Sequence, residues 1–192
     1  MKIILLRHEE RGLDISFNSN LTENGIINSY NLSSKLEMQN IDVVFSSPFI
    51  RTLQTIYPYS IQNEKKINIE YGLYEYLHNP YFLLLKWYNT IDDIDDIDLK
   101  YIINEEYKSI ITKEDLIVLE DENNLKKRII KFFNFLLENY KDKTILLVTH
   151  KAVINKIKDI YMDKTSLDSE FNMGEFIILQ HIGYLQHNKL LN

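Results

Sequence analysis

Arg7, His8 and Arg11 follow directly on four consecutive aliphatic residues, Ile3-Ile4-Leu5-Leu6, and His150 follows directly on a second apolar run, Thr144 to Thr149. Guanidinium groups beside an imidazole form a set for holding an anion, because the planar arginine forks match phosphate or carboxylate oxygens. Arg51 extends the set from the segment Ser46-Ser47-Pro48-Phe49-Ile50-Arg51-Thr52-Leu53-Gln54-Thr55. There Ser47 predicts an N-cap and Pro48 the first helical position, which puts Arg51 in the first turn. Unpaired backbone N–H groups at that point favour an anion and disfavour a cation, so the arginine suggests a ligand. Taken singly, each feature also has a plain reading: a charged loop after a strand, an exposed arginine, an ordinary satisfied histidine. Two histidines at equivalent positions, together with three arginines, are harder to dismiss.

The elements that must position these residues are legible in outline. Ile3–Leu6 and Ile145–Val148 read as strands buried on both faces, the kind at the centre of a parallel sheet. In such open α/β sheets ligands bind just beyond the carboxyl ends of the strands. Thr22 predicts the N-cap of a helix whose Gly25, Ser29, Leu32 and Leu36 share one face. Ile41–Phe45 predicts a second strand and Ile67–Glu70 a third. A helix is expected from Asn79-Pro80 through Trp87, a solvated acidic loop or flap over Ile91–Asp98, and a long amphipathic helix carrying Leu125, Ile129, Phe132, Phe133, Leu136 and Leu137. A helix from Ala152 to Met162, a strand from Gly174 to Gln180 and an edge strand from Ile182 to Gln186 complete the expectation. His78, His181 and His187 lack comparable surroundings and read as structural or surface residues.

Composition narrows the class. The chain has 192 residues and 45% hydrophobic content, enough for one well-filled core and awkward for two. No apolar run approaches a membrane span, and Met1–Leu6 is too short for a signal peptide. With 0 cysteines there is neither a disulfide framework nor a thiolate metal site, and a cytoplasmic protein is expected. A net charge of −6 argues against general nucleic-acid binding, while a local arginine cluster in an acidic chain marks one small anion site.

The order of motifs resembles the histidine phosphatase superfamily, which includes the cofactor-dependent phosphoglycerate mutases. Leu6-Arg7-His8-Glu9-Glu10-Arg11 resembles its R-H-G signature, in the version that continues with Glu and Arg. Leu21-Thr22-x-x-Gly25 resembles its L-T-x-x-G helix start, Ser46 to Thr55 its S-S-P-x-x-R-x-x-Q-T block, and Val148-Thr149-His150 its second histidine block. Ile69 to Leu77 looks like the E-P-G-L-x-E-W segment of relatives of the suppressor-of-T-cell-receptor-signalling phosphatases, with Tyr71 and Tyr76 replacing its proline and tryptophan. The resemblance implies an α/β fold with a mostly parallel central sheet and helices on both faces, a three-layer sandwich. Residues 1–192 would then form a single domain with a variable insertion around 80–122.

What the resemblance implies for chemistry is a metal-independent phosphomonoesterase with His8 as nucleophile, His150 as a hydrogen-bond donor to the phosphoryl group and Glu75 as general acid and base. Arg7, Arg11 and Arg51 would bind phosphate and lower the pKa of His8, with no cofactor and no metal. The substrate would be a phosphorylated small molecule or phosphoprotein. Neither a nucleic acid nor a membrane is an expected partner, and the oligomeric state is left open. A mutase fits less well, because a short chain leaves little room for phosphosugar contacts. Two other readings stay open: a weakened family member that binds phosphorylated partners, and a metal hydrolase using His8, Glu9 and His150. Glu9 and Lys151 stand where the family has glycines, and an ion pair between them across the strand ends is expected.

Overall fold

The computed structural model describes residues 1–14, 16–80, 96–117, 119–162 and 171–180. Five strands form one sheet: β1 (Lys2–Arg7), β2 (Val43–Ser46), β3 (Ile67–Ile69), β4 (Thr144–Thr149) and β5 (Phe176–Gln180), in the order β3-β2-β4-β1-β5. The first four run parallel and β5 is antiparallel at the edge beside β1. The aliphatic runs explain why β1 and β4 are central. Side chains alternate across a strand, so Ile4, Leu6, Leu146 and Val148 enter one core while Ile3, Leu5, Ile145 and Leu147 enter the other. Each side chain fully buried in this way contributes about 1.5–3 kcal/mol relative to exposure.

Helices α1 (Glu23–Glu37) and α2 (Ile50–Gln62) supply the first core with Leu32, Leu36, Leu53 and Ile56. The short α3 (Ile97–Tyr101) adds Leu99 on the same side. Helices α4 (Glu122–Asn139) and α5 (Lys151–Tyr161) supply the second core with Ile129, Phe132, Phe133, Ile154 and Ile157. The result is the expected α/β architecture of three layers, with the mostly parallel sheet in the middle.

α1 starts as expected, with Thr22 Oγ1 accepting the Gly25 N–H at 3.0 Å. Gly25 is required there because a Cβ would sit 2.1 Å from the Glu10 carbonyl oxygen. α2 starts differently. It begins at Ile50 with Phe49 as its N-cap and no side-chain cap, because the Ser47 hydroxyl bonds to His150 instead. Arg51 is nevertheless in the first turn. The end of the expected acidic loop is also corrected: Asp96 caps α3, its Oδ1 accepting from the N–H groups of Asp98 and Leu99 at 2.9 and 3.1 Å. The helix expected from Asn79 to Trp87 lies, beyond Pro80, outside the described residues, as do the edge strand Ile182–Gln186, His181 and His187. No described helix is long and apolar enough to cross a membrane.

Candidate active site

The register of the central pair decides the geometry. Arg7 of β1 lies opposite Thr149 of β4, and the His8 N–H continues the ladder to the Thr149 carbonyl at 3.1 Å. His8 and His150 therefore leave the sheet side by side, with ring centroids 5.4 Å apart. His8 Nδ1 lies 2.8 Å from the Glu9 carbonyl oxygen. A carbonyl can only accept, so Nδ1 carries the proton and the neutral ring keeps its lone pair on Nε2. Burial first, then the Arg51 guanidinium, pushes the His8 pKa down to about 3, so the ring is neutral at pH 7.

His150 is the N-cap of α5 and is fully buried. Its Nε2 is 2.9 Å from Ser47 Oγ, and its Nδ1 is 3.3 Å from both Arg51 Nη2 and Glu75 Oε2. Burial, followed by Arg51, holds its pKa well below the ordinary imidazole value. A neutral His150 has two tautomers here. With the proton on Nδ1 it donates toward Glu75 and accepts from Ser47, and with the proton on Nε2 it donates to Ser47 and accepts from Arg51.

Arg51 is only 1% exposed. Its Nη1 donates to the Ser16 carbonyl at 2.9 Å, and the guanidinium lies 4.2 Å from the centroid of the Phe49 ring. Burial brings its pKa down to about 10 while Glu75, 3.5 Å away, opposes the shift, so the cation persists at neutral pH. Arg7 is half-buried and donates from Nη1 to the Phe171 carbonyl at 2.8 Å. The Nε atoms of Arg7 and Arg51 are both buried without a partner among the described residues, which leaves two donors for an anion. Arg11 is less constrained by packing, its Nη1 donating to the carbonyls of Gly12 and Asp14 at 2.7 and 2.8 Å.

Glu75 is held by its main chain. A 3-10 turn (Tyr71–Leu73) leads into it, capped by the buried Glu70 carboxylate, which accepts the Gly72 N–H at 2.8 Å. Thr149 Oγ1 donates to the Leu73 carbonyl at 2.7 Å. Arg128 of α4, paired with buried Glu120 at 2.7 Å, donates to the carbonyls of Gly72 and Glu75 at 2.7 and 3.2 Å. Glu70 is structural: it also accepts from Tyr107 Oη and from the Ile110 and Ile111 N–H groups. Asp42, at the opposite end of the sheet, accepts the Thr144 N–H at 2.8 Å.

A cleft of about 350 Å³ opens over this constellation, and Arg11, Arg51 and Glu75 form part of its wall. Both histidines and Arg7 are absent from that wall. His150 reaches it through Arg51 and Glu75, the two wall residues within 3.3 Å of its Nδ1. Tyr76, His78, Lys151 and Asn155 also line the cleft. His78 was expected to be structural or at the surface; it is exposed, its ring stacks on Tyr76 at a centroid distance of 4.6 Å, and it also lines the cleft. Its position three residues after Glu75 is the only sequence signal for this. Ser47 was read as a helix cap, and its contact with His150 is visible only in three dimensions.

The expected Glu9–Lys151 ion pair does not form. Successive residues at a strand end face opposite sides, so where His8 turns to His150, Glu9 turns away and is 6% exposed. Its N–H donates to Thr55 Oγ1 at 2.9 Å, and its carboxylate packs on Gly174, where a Cβ would lie 1.9 Å from Oε1. Gly174 has φ +72°, so the position is closed to side chains twice over. Lys151 is exposed, lines the cleft and has no ion-pair partner among the described residues.

Known proteins share this fold. A protein of Schizosaccharomyces pombe named "Probable phosphatase C1687.21" is 24% identical over 185 residues, covering 88% of this chain and 81% of that one. The ecdysone phosphate phosphatase of Bombix mori, solved with tungstate, superposes with a TM-score of 0.66 at 14% identity, covering 94% of this chain and 89% of that one. A phosphoserine phosphatase of Entamoeba histolytica, solved with phosphoserine, gives 0.62 at 19% identity over 92% and 89%. A mycobacterial glucosyl-3-phosphoglycerate phosphatase gives 0.65 at 14% over 93% and 92%. These likenesses establish the fold. The family model for branch 1 of the histidine phosphatase superfamily matches residues 3–169, and the chain belongs to that superfamily.

Proposed function

We propose that the protein is a phosphatase that hydrolyses phosphomonoesters through a phosphohistidine on His8, without a metal ion. The observation that carries the reading is the His8 Nδ1 hydrogen bond to the Glu9 carbonyl, in a buried ring flanked by cations. It leaves Nε2 as an unprotonated nucleophile at neutral pH. Nε2 attacks phosphorus, the ester P–O bond breaks, and Glu75 gives a proton to the departing oxygen. Water then attacks the phosphohistidine, Glu75 takes one of its protons, the P–N bond breaks and inorganic phosphate leaves. Arg7, Arg11 and Arg51 hold the equatorial oxygens, and His150 donates from Nδ1 to the phosphoryl group as charge shifts.

In this reading the arginines supply the charge that a divalent cation supplies elsewhere. Among the described residues no three His, Asp or Glu side chains converge as a metal site, and Glu9 faces away from the two histidines. The names of the solved neighbours specify ecdysone phosphate, phosphoserine and glucosyl-3-phosphoglycerate. A phosphorylated small molecule is accordingly the proposed substrate class.

Turnover of 4-nitrophenyl phosphate in the presence of chelator tests the reaction, and rapid quenching into base tests the intermediate, since phosphohistidine is acid-labile. Labelled protein should appear in the base quench, and His8→Ala should lose both the label and turnover. Wild-type turnover in His8→Ala would overturn the mechanism.

A further inference from the structure

We propose that the cleft, through Lys151 in its wall, selects substrates whose leaving group carries a second negative charge, a carboxylate or another phosphate. This rests on the phosphatase reading for the location of the phosphoryl group and adds what lies beyond it. Lys151 is the first residue of α5, next in sequence to His150, which ties its backbone to the reaction centre. It lines the same cleft as Arg51, Glu75 and His78, with Asn155 one turn further along the helix.

Three observations separate it from an ordinary surface lysine. The carboxylate that would neutralise it, Glu9, is committed to the space above Gly174. The only carboxylate in the cleft wall among the described residues, Glu75, has its Oε2 engaged with His150 and Arg51 and its Oε1 accepting the Tyr76 N–H at 3.0 Å. A cation at the first residue of a helix also opposes the helix dipole, a cost that a bound anion would offset.

The remaining wall residues fit the same occupant. Asn155 offers an amide N–H₂ suited to oxygens, while the stacked Tyr76–His78 rings, with His78 Nδ1 donating to the Tyr76 carbonyl at 3.2 Å, make one flat side. In a chain of net charge −6, a cleft containing Arg11, Arg51 and Lys151 against one glutamate concentrates positive potential in a single place. A phosphoryl group on the arginines leaves Lys151 to meet charge on the leaving group.

The test uses non-hydrolysable ligands, so it does not depend on turnover. Binding of 4-carboxybenzylphosphonate, of its methyl ester and of 1,4-xylylenebisphosphonate to the full chain is measured by calorimetry. The wild type should bind the acid roughly tenfold more tightly than the ester, the effect of one charge-assisted hydrogen bond in a partly open cleft. Lys151→Ala should bring that ratio close to one, Lys151→Arg should keep it and Lys151→Glu should invert it. The bisphosphonate arm reports whether carboxylate or phosphate is the better second group. A ratio near one in the wild type, or an unchanged ratio in Lys151→Ala, overturns the inference. Absent turnover of 4-nitrophenyl phosphate, with the ratio present, would instead overturn the phosphatase reading alone.

Discussion

Glu75 illustrates how one carboxylate is prepared for two tasks. Its main chain is fixed from three sides, by Thr149, Arg128 and the Glu70-capped turn, while Oε2 stands 3.3 Å from His150 Nδ1. A general acid matters in proportion to how poorly the leaving group carries charge. Glu75→Gln should therefore slow hydrolysis of an alkyl phosphate by about 10²–10⁴-fold and that of 4-nitrophenyl phosphate far less. An equal loss on both substrates would remove the acid role and leave only a binding one. The comparison with Glu9 is instructive at this scale. Both residues belong to segments singled out in the sequence, yet side-chain alternation sends Glu9 into a pocket against Gly174 and away from the chemistry. The types of Glu9 and Lys151 invited a pairing, and only the direction of the Cα–Cβ bonds excludes it.

At the scale of elements, the parts that could be read from sequence are those with local causes. β1 and β4 are continuous aliphatic runs, α1 has its capping threonine and α4 its apolar stripe, and all four were legible along with the two histidines they deliver. The region from Asp96 to Glu122 was not. Its elements are only three to five residues long, and it is held by distant contacts: Tyr107, Ile110 and Ile111 all bond to the Glu70 carboxylate. Ser47 was misread for the same reason, since its partner lies 103 residues away. One such long-range contact yields a prediction. Arg128→Leu would leave Glu120 as an unpaired buried charge, costing about 3–5 kcal/mol, and would free the carbonyls of Gly72 and Glu75. Adding Glu120→Leu should recover much of the stability, because an apolar pair can replace a buried ion pair. Activity should stay low in the double variant, since the Arg128 donors to the Gly72 and Glu75 carbonyls are then missing. Urea unfolding alongside kcat decides the matter: full recovery of both would show that α4 does not position the acid.

Over the whole molecule, two imidazoles buried side by side at the carboxyl ends of the central strands make stability depend on pH in a particular direction. His8 titrates near 6.5 when unfolded and at about 3 when folded, and His150 is shifted the same way. Between those values the unfolded chain binds protons that the native chain excludes, so stability rises with pH through this window. The contribution is complete above pH 6.5 and is lost as the pH falls toward 3. The buried Glu9 carboxyl, whose pKa is raised, works in the opposite sense just above its ordinary value of 4.5, so the total slope mixes both signs. A difference between proteins isolates the histidine. In His8→Asn the pH dependence of the unfolding free energy should be shallower by up to one proton between pH 6.5 and about 3. Urea titrations at closely spaced pH values measure that slope, and the native His8 ring resonances should not shift between pH 8 and 5. An unchanged slope in His8→Asn, or a native ring titrating near 6.5, would mean that neither burial nor Arg51 keeps the nucleophile neutral. The phosphohistidine route would then lack its unprotonated Nε2 over the acidic half of that range.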